Sequence, residues 1–260
     1  MKKLIEKLQQ MEEFFPLSDI LQKSLKDFLD VKYNYNTNAL EWTTLTEKET
    51  SLVLRGETIP KHHLIEHFEV INHKNAFNYI FEITNGFWKS KKWFEEIFTE
   101  ENILKIHSFI LQNIQTENAW IYRRQNVRIA FSQTILPRYE KVPDLMNRFF
   151  QESIKNYKKL DIKNIQKVLE FGYDLHLNFV KIHPFVDWNW RTARLIMNIW
   201  FLYALSNIDI VYFTNRQEYI DSLENSTKDI SQYYDFMHKN FLEFKDEEFE
   251  LVSNNIIYKY

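Results

Sequence analysis

Between Ile182 and Arg194 the chain places an imidazole (His183), a carboxylate (Asp187), a carboxamide (Asn189) and two guanidinium groups (Arg191 and Arg194) in one short stretch. An imidazole can carry a proton near neutral pH. A carboxylate suits a hard divalent cation that keeps most of its other ligands as water or phosphate oxygens. Arginines three residues apart at the start of a helix lie on one face, where their forks add to the positive end of the helix dipole. The set therefore suits a metal-bound polyphosphate arriving at a helix N-terminus. The chemistry is phosphoryl or nucleotidyl transfer: His183 takes the proton of an attacking hydroxyl, Asp187 holds magnesium, and Arg191 and Arg194 grip the phosphate tail.

Two helices must present these groups. Val168, Leu169, Gly172, Leu175, His176, Phe179 and Val180 share a helical face that leads directly into His183. Pro184 ends that helix, because the residue before a proline is pushed out of the helical region. A second helix, from about Arg191 through Ala204, is apolar on nearly every side and reads as the central buried helix. Three glycines and five prolines in 260 residues predict long helices, and exclude a sandwich, a barrel or a glycine-rich nucleotide fold. The first thirty residues read as a helical pair, broken near Phe15-Pro16 and restarted at a Ser18-Asp19 cap. A capping box of Thr46 and Glu49 starts a new helix, so a short helix before it ends near Glu41. Helical spacing also runs from Lys61 to Glu82 and from Ile103 to Ile114. Between Trp120 and Ala130, Ile121-Tyr122-Arg123 and Val127-Arg128-Ile129 alternate apolar and basic residues around Arg124-Gln125-Asn126, which predicts a small exposed β-hairpin. The expected fold is mainly α.

Composition narrows the partners. With 45% hydrophobic and 17% aromatic residues the chain can bury a full core. A net charge of −3, from 33 basic and 36 acidic residues, leaves no electrostatic footprint for nucleic acid. Cysteine is absent, so disulfides and thiolate metal sites are excluded. The charged N-terminus lacks the apolar core of a signal peptide. The most apolar run, Leu195 to Leu205, contains Asn198 and is short of the roughly 20 residues of a membrane span. A cytoplasmic protein, bound to neither nucleic acid nor membrane, is expected.

The string His183-Pro184-Phe185-Val186-Asp187-Trp188-Asn189-Trp190-Arg191-Thr192-Ala193-Arg194 resembles the signature of the Fic (Fido) family, His-Pro-Phe-x-Asp/Glu-Gly-Asn-Gly-Arg-x-x-Arg. Thr37-x-x-x-Glu41 resembles the inhibitory motif of the members whose autoinhibitory helix precedes the core. Residues 120–129 are similar to the family's flap hairpin, and Tyr212 through Ser226 to the segment after its central helix. The resemblance spans roughly residues 30 to 230. It implies a Fic-type helical core with a β-hairpin flap, and a protein adenylyltransferase that moves AMP from ATP to a hydroxyl of a target protein or of itself. By the same resemblance His183 is the base and Asp187 the magnesium ligand. Asn189 and Arg191 hold the α- and β-phosphates, with Trp188 and Trp190 beside them, and Arg194 holds the γ-phosphate. Glu41, with Thr37, is a brake that occupies Arg194, while Ile121, Tyr122, Val127 and Ile129 clamp the target by strand addition. The implied organisation is an N-terminal helical region over 1–95 with the inhibitory helix near 37–41, a core over 96–215 with flap 120–130 and active loop 183–194, and C-terminal helices over 216–260. A homo-oligomer is left open. Relatives that transfer a phosphoryl group carry lysine where Trp190 stands, and this chain does not.

Trp42, Trp120, Trp188 and Trp190 stand where family members commonly carry glycine. Glycine at 188 and 190 would let main-chain amides form an anion nest at positive φ. Three accounts follow. The indoles point away and the enzyme works, with altered nucleotide preference; or the protein is a degenerate, non-catalytic Fic-fold module that binds nucleotide or protein; or one codon has been read as tryptophan in place of glycine. Trp88, Trp93 and Trp200 read as ordinary core or interface residues.

Overall fold

The computed structural model describes residues 1–86, 92–129, 132, 134–205 and 213–258. In chain order the helices are α1 (Lys2–Glu12), α2 (Asp19–Ala39), α3 (Glu47–Leu54), α4 (Leu64–Ile83), α5 (Phe94–Ile97), α6 (Glu100–Leu111), α7 (Val142–Tyr157), α8 (Ile165–Ile182), α9 (Asn189–Ala204), α10 (Arg216–Asn225) and α11 (Ile230–Ser253). Side chains set several boundaries. Ser18 accepts from the Leu21 amide at the start of α2, and Thr46 and Glu49 close the expected capping box on α3. The inhibitory segment is not a separate short helix: residues 19 to 39 form one continuous α2 that ends just before Glu41.

At the centre α9 packs along α8, with Leu195, Ile196, Ile199 and Phe201 buried. Close approach of these two helices requires glycine at 172, because a Cβ there would lie 2.6 Å from the Phe201 ring. Trp200 fixes the pair by donating its indole N–H to the Val168 carbonyl, 2.7 Å away. α4 and α6 pack on α9, α7 and α11 pack on α8, and one apolar cluster runs from Leu4 through Val252. Leu45, Val53 and Val70 form a small satellite core where α3 meets α4. Trp200 is buried as expected, whereas Trp93 is 69% exposed and is not a core residue.

The β-hairpin expectation is corrected. Among the described residues there is no strand, and residues 121–129 run as bends and irregular backbone. The reason lies in where their hydrogen bonds go. The Arg123 amide donates to the Pro184 carbonyl at 2.8 Å and the Asn126 side chain accepts from the Tyr139 amide at 3.0 Å, so the two halves are tied to the active loop and to the following segment rather than to each other. Trp88, Ala130 and Tyr212 lie outside the described residues. No helix among those described is long and apolar enough to cross a membrane.

Candidate active site

The loop between α8 and α9 carries the five residues that the sequence singles out. His183 follows α8 in the left-handed region, φ 51°, with its amide still bonded to the Phe179 carbonyl at 3.0 Å. Burial, with the Arg123 guanidinium nearby, pushes its imidazole down to about 4, so the ring is neutral at physiological pH. Its Nδ1 is buried without a hydrogen-bond partner among the described residues. A neutral ring is the state a general base needs.

Phe185 anchors the loop in the core, where the His107 ring lies parallel to it with centroids 3.6 Å apart. His107 also donates its Nε2 hydrogen to the Asp187 carbonyl, 3.4 Å away, and burial pushes its pKa down to about 3. Asn189, expected to contact phosphate, is engaged with the loop backbone. Its Oδ1 accepts from the Phe185 amide and its Nδ2 donates to the Phe185 carbonyl, each at 2.9 Å, so the carboxamide clasps the loop shut. Asp187 is exposed, and one of its oxygens accepts from the Trp188 amide at 2.8 Å.

Trp188 is the residue before α9 and is left-handed, φ 57°; its side chain makes no cap. The amides of the first turn thus point outward without a side-chain acceptor, the usual anion-binding end of a helix. A left-handed conformation costs a residue with a Cβ about 1–2 kcal/mol. Trp190 is half-buried, edge-on to Tyr219 with centroids 6.0 Å apart. It lines a cavity of about 820 Å³ together with Val180, Lys181, Arg216, Ile220 and Ile129.

The two arginines are already occupied. Arg194 is fully buried: its Nε donates to the Thr37 hydroxyl at 2.9 Å, and one Nη donates both to the Thr37 carbonyl at 3.2 Å and to Glu41 Oε1 at 2.9 Å. Its guanidinium also lies over the Tyr219 ring, 5.6 Å from the centroid, and that phenol shares a hydrogen bond with buried His176. Arg191 pairs with Glu69 of α4 at 3.0 Å. The other Nη of Arg194 and the Nε of Arg191 find no partner among the described residues, so each fork retains an unused donor.

On the other side of the loop, Ile121 is exposed and Val127 and Ile129 are half-buried. Tyr122 donates to Glu100 at 2.6 Å, and its ring centroid lies 5.8 Å from that of Phe185. The sequence reading missed Arg123, which donates to the His183, Gln125 and Pro137 carbonyls at 2.9, 3.1 and 2.5 Å and so staples this segment to the active loop. It missed Glu69 as well. It also missed Arg216, whose Nε donates to the Leu40 carbonyl at 2.7 Å, at the C-terminus of α2, and whose guanidinium stacks on Trp42 at 4.6 Å. Arg123 stood in the alternating stretch as one basic residue among several, and Glu69 and Arg216 lie far from the loop in sequence, so no local spacing marked them.

The donor set fits a nucleotide with its cation. One exposed carboxylate at the mouth suffices for a magnesium ion that takes its remaining ligands from phosphate and water. Among the described residues there is no group of three or more acidic or histidine side chains that would hold a metal unaided.

Residues 97–201 match the Fic/DOC family. The chain is 29% identical over 193 residues to the protein adenylyltransferase Fic of Nematostella vectensis, covering 74% of this chain and 42% of that one. It is 30% identical over 194 residues to the protein adenylyltransferase fic-1 of Caenorhabditis elegans, covering 74% and 35%. It thus spans less than half the length of these curated relatives. Among solved structures, a Fic domain containing signaling protein from Bacteroides thetaiotaomicron superposes with a TM-score of 0.81 at 21% identity, covering 100% of this chain and 98% of that one. Residues 134–508 of Fic-1 from C. elegans give 0.77 at 22%, covering 98% and 73%.

Proposed function

Because this chain belongs to the Fic/DOC family, we propose that it is a protein adenylyltransferase, moving AMP from ATP to a hydroxyl of a target protein or of itself, and that Glu41 restrains it. The observation that carries the reading is the meeting, at one loop, of a neutral histidine, an uncapped helix N-terminus and two buried arginines with spare donors.

His183 takes the proton of the attacking hydroxyl as its oxygen bonds to the α-phosphorus, and the bond to the departing pyrophosphate breaks. Its free-protein pKa of about 4 makes it a weak base. Phosphate charge beside the ring raises that value toward the ordinary 6.5. The first-turn amides of α9, with Trp188 and Trp190 beside them, face the α- and β-phosphates, and Arg191 and Arg194 hold the tail. Asn189 serves by keeping the loop in the shape that presents those amides. Asp187 would hold a magnesium ion, which would supply charge neutralisation on the phosphates. The cavity beside Trp190 takes the nucleoside.

Restraint follows from charge. Arg194 cannot give its full fork to a γ-phosphate while it donates to Thr37 and Glu41. The target enters along Ile121, Tyr122, Val127 and Ile129, where main-chain hydrogen bonds to an extended segment would read little of its sequence.

The test is labelling of a cell lysate with α-labelled ATP by wild type, Glu41→Gly and Glu41→Gly/His183→Ala. Label rising in the second and vanishing in the third is the expected result, and no label in any of them overturns it. One observation favours a second reading, a non-catalytic binding module: the Trp190 indole stands at the wall of the nucleotide cavity. That reading predicts no label from Glu41→Gly with or without glycine at 188 and 190.

A further inference from the structure

Left-handed backbone falls on nine described residues: Gly56, Gly86, Asn85, Asn113, Asn255, His183, Trp42, Trp120 and Trp188. Glycine has no Cβ to clash, and asparagine bonds to its own backbone there. His183 precedes Pro184, which bars it from the ordinary helical region. The three tryptophans have no such reason, and for a bulky residue a positive φ is a true outlier.

Burial recovers little at two of them: Trp42 is 74% exposed and carries only the Arg216 guanidinium on its face, and Trp120 is 45% exposed, while Trp188 is half-buried against the core. Trp190 has no positive φ, but its indole N–H is buried without a partner among the described residues, and a buried donor left unpaired is costly. Trp200 shows what a fitted tryptophan looks like in the same chain. It is fully buried, its N–H donates to the Val168 carbonyl, and its ring meets Phe171 edge-on with centroids 4.6 Å apart.

Composition points the same way. The chain has seven tryptophans and three glycines, whereas glycine averages about 7% of residues in globular proteins, on the order of 18 in a chain of this length. A helical protein can do with few glycines. Placing left-handed turns on tryptophan more often than on glycine is a separate anomaly, and one substitution removes both.

We propose that positions 42, 120, 188 and 190 carry glycine in the protein as its own cell makes it, a single codon at these four positions being decoded there as glycine where the standard reading gives tryptophan. Glycine at 42, 120 and 188 makes each left-handed turn unstrained. Glycine at 190 removes an orphaned donor and takes an indole from the cavity wall beside α9. The inference stands apart from the transferase reading, since neither its observations nor its test involves activity.

Mass spectrometry of tryptic peptides from the protein purified out of its source cells decides it. The peptides ending at Lys48 and Arg123 are each lighter by the difference between one tryptophan and one glycine, the peptide ending at Arg191 is lighter by two, and the peptide containing Trp200 is unchanged. Tryptophan at any of the four positions overturns the proposal. The coding sequence gives a second check: one codon shared by the four positions and absent at Trp200 supports it, and the same codon at all five overturns it. Thermal melting of the recombinant protein gives a third, with the four-glycine form expected to melt several degrees above the four-tryptophan form; a lower melting temperature counts against the proposal.

Discussion

Arg194, behind the active loop, is fully buried and makes two hydrogen bonds to Thr37 of α2 and one to Glu41 just beyond that helix, with Tyr219 of α10 across its face. Residues 120–129, in front of the loop, are held chiefly through Arg123 and leave Ile121 exposed. Both regions touch the same loop. The rear is complete among the described residues, with a carboxylate opposite each arginine: Glu41 just after α2 and Glu69 from α4. The front has backbone without a ladder, which an arriving segment can complete. On this account regulation is preorganised and recognition is finished only by the partner.

Substitutions can break or sharpen that contrast. The largest expected effect comes from the residue between the two regions: in the Glu41→Gly background, His183→Ala lowers the rate of α-label transfer roughly 10²- to 10⁴-fold with nucleotide binding kept, the contribution of a general base. Glu41→Gly, at the rear, tightens binding of ATP with magnesium on the order of 5- to 150-fold, the range of an intramolecular coupling, as calorimetry would read. It also lowers the melting temperature, because Arg194 stays buried without its carboxylate. Arg123→Ala, at the front, removes the side-chain staple to the His183, Gln125 and Pro137 carbonyls; target labelling falls about tenfold while ATP affinity holds, and an equal loss of both would erase the distinction between front and rear. Glu69→Gln frees one contact of Arg191 and raises ATP affinity a few-fold, additively with Glu41→Gly if the two carboxylates act on separate arginines.

The smallest effect is on the pH dependence of kcat/KM, which reports the free protein. His183 holds its neutral form down to about pH 4, so the acid limb due to this group lies near 4, and the profile shows no loss centred at 6.5. Stability responds over the same range. The unfolded chain binds protons at its histidines as pH falls below about 6.5, while His107 and His176 resist until about 3 and His183 and His238 until about 4. The unfolding free energy therefore falls as pH drops from 6.5 toward 4, and urea titrations at pH 7 and pH 5 would measure the difference.

The rear of the site was legible in the sequence because its parts are local and ordered. His183 through Arg194 lie in one stretch, Pro184 marks the helix end, and Thr37 and Glu41 sit one helical turn apart. The front was read as a hairpin because alternation of apolar and basic residues carries no information on which backbone partners they find. Arg123 settles that question with bonds to residues 60 positions away. The clasp of the Asn189 carboxamide on Phe185 was not legible either, since a contact between residues four apart is decided by the turn geometry and not by the residue type. Glu69 was invisible for another reason: it meets Arg191 only because α4 packs against α9.

The most direct test of the account gives Glu41→Gly protein, in its tryptophan form and with glycine at 42, 120, 188 and 190, ATP labelled at either the α- or the γ-phosphate and follows label into protein. The account predicts α-label in protein and no γ-label, with α-label lost when His183 is alanine. Label from the γ-phosphate, or none from either in both forms, would contradict it.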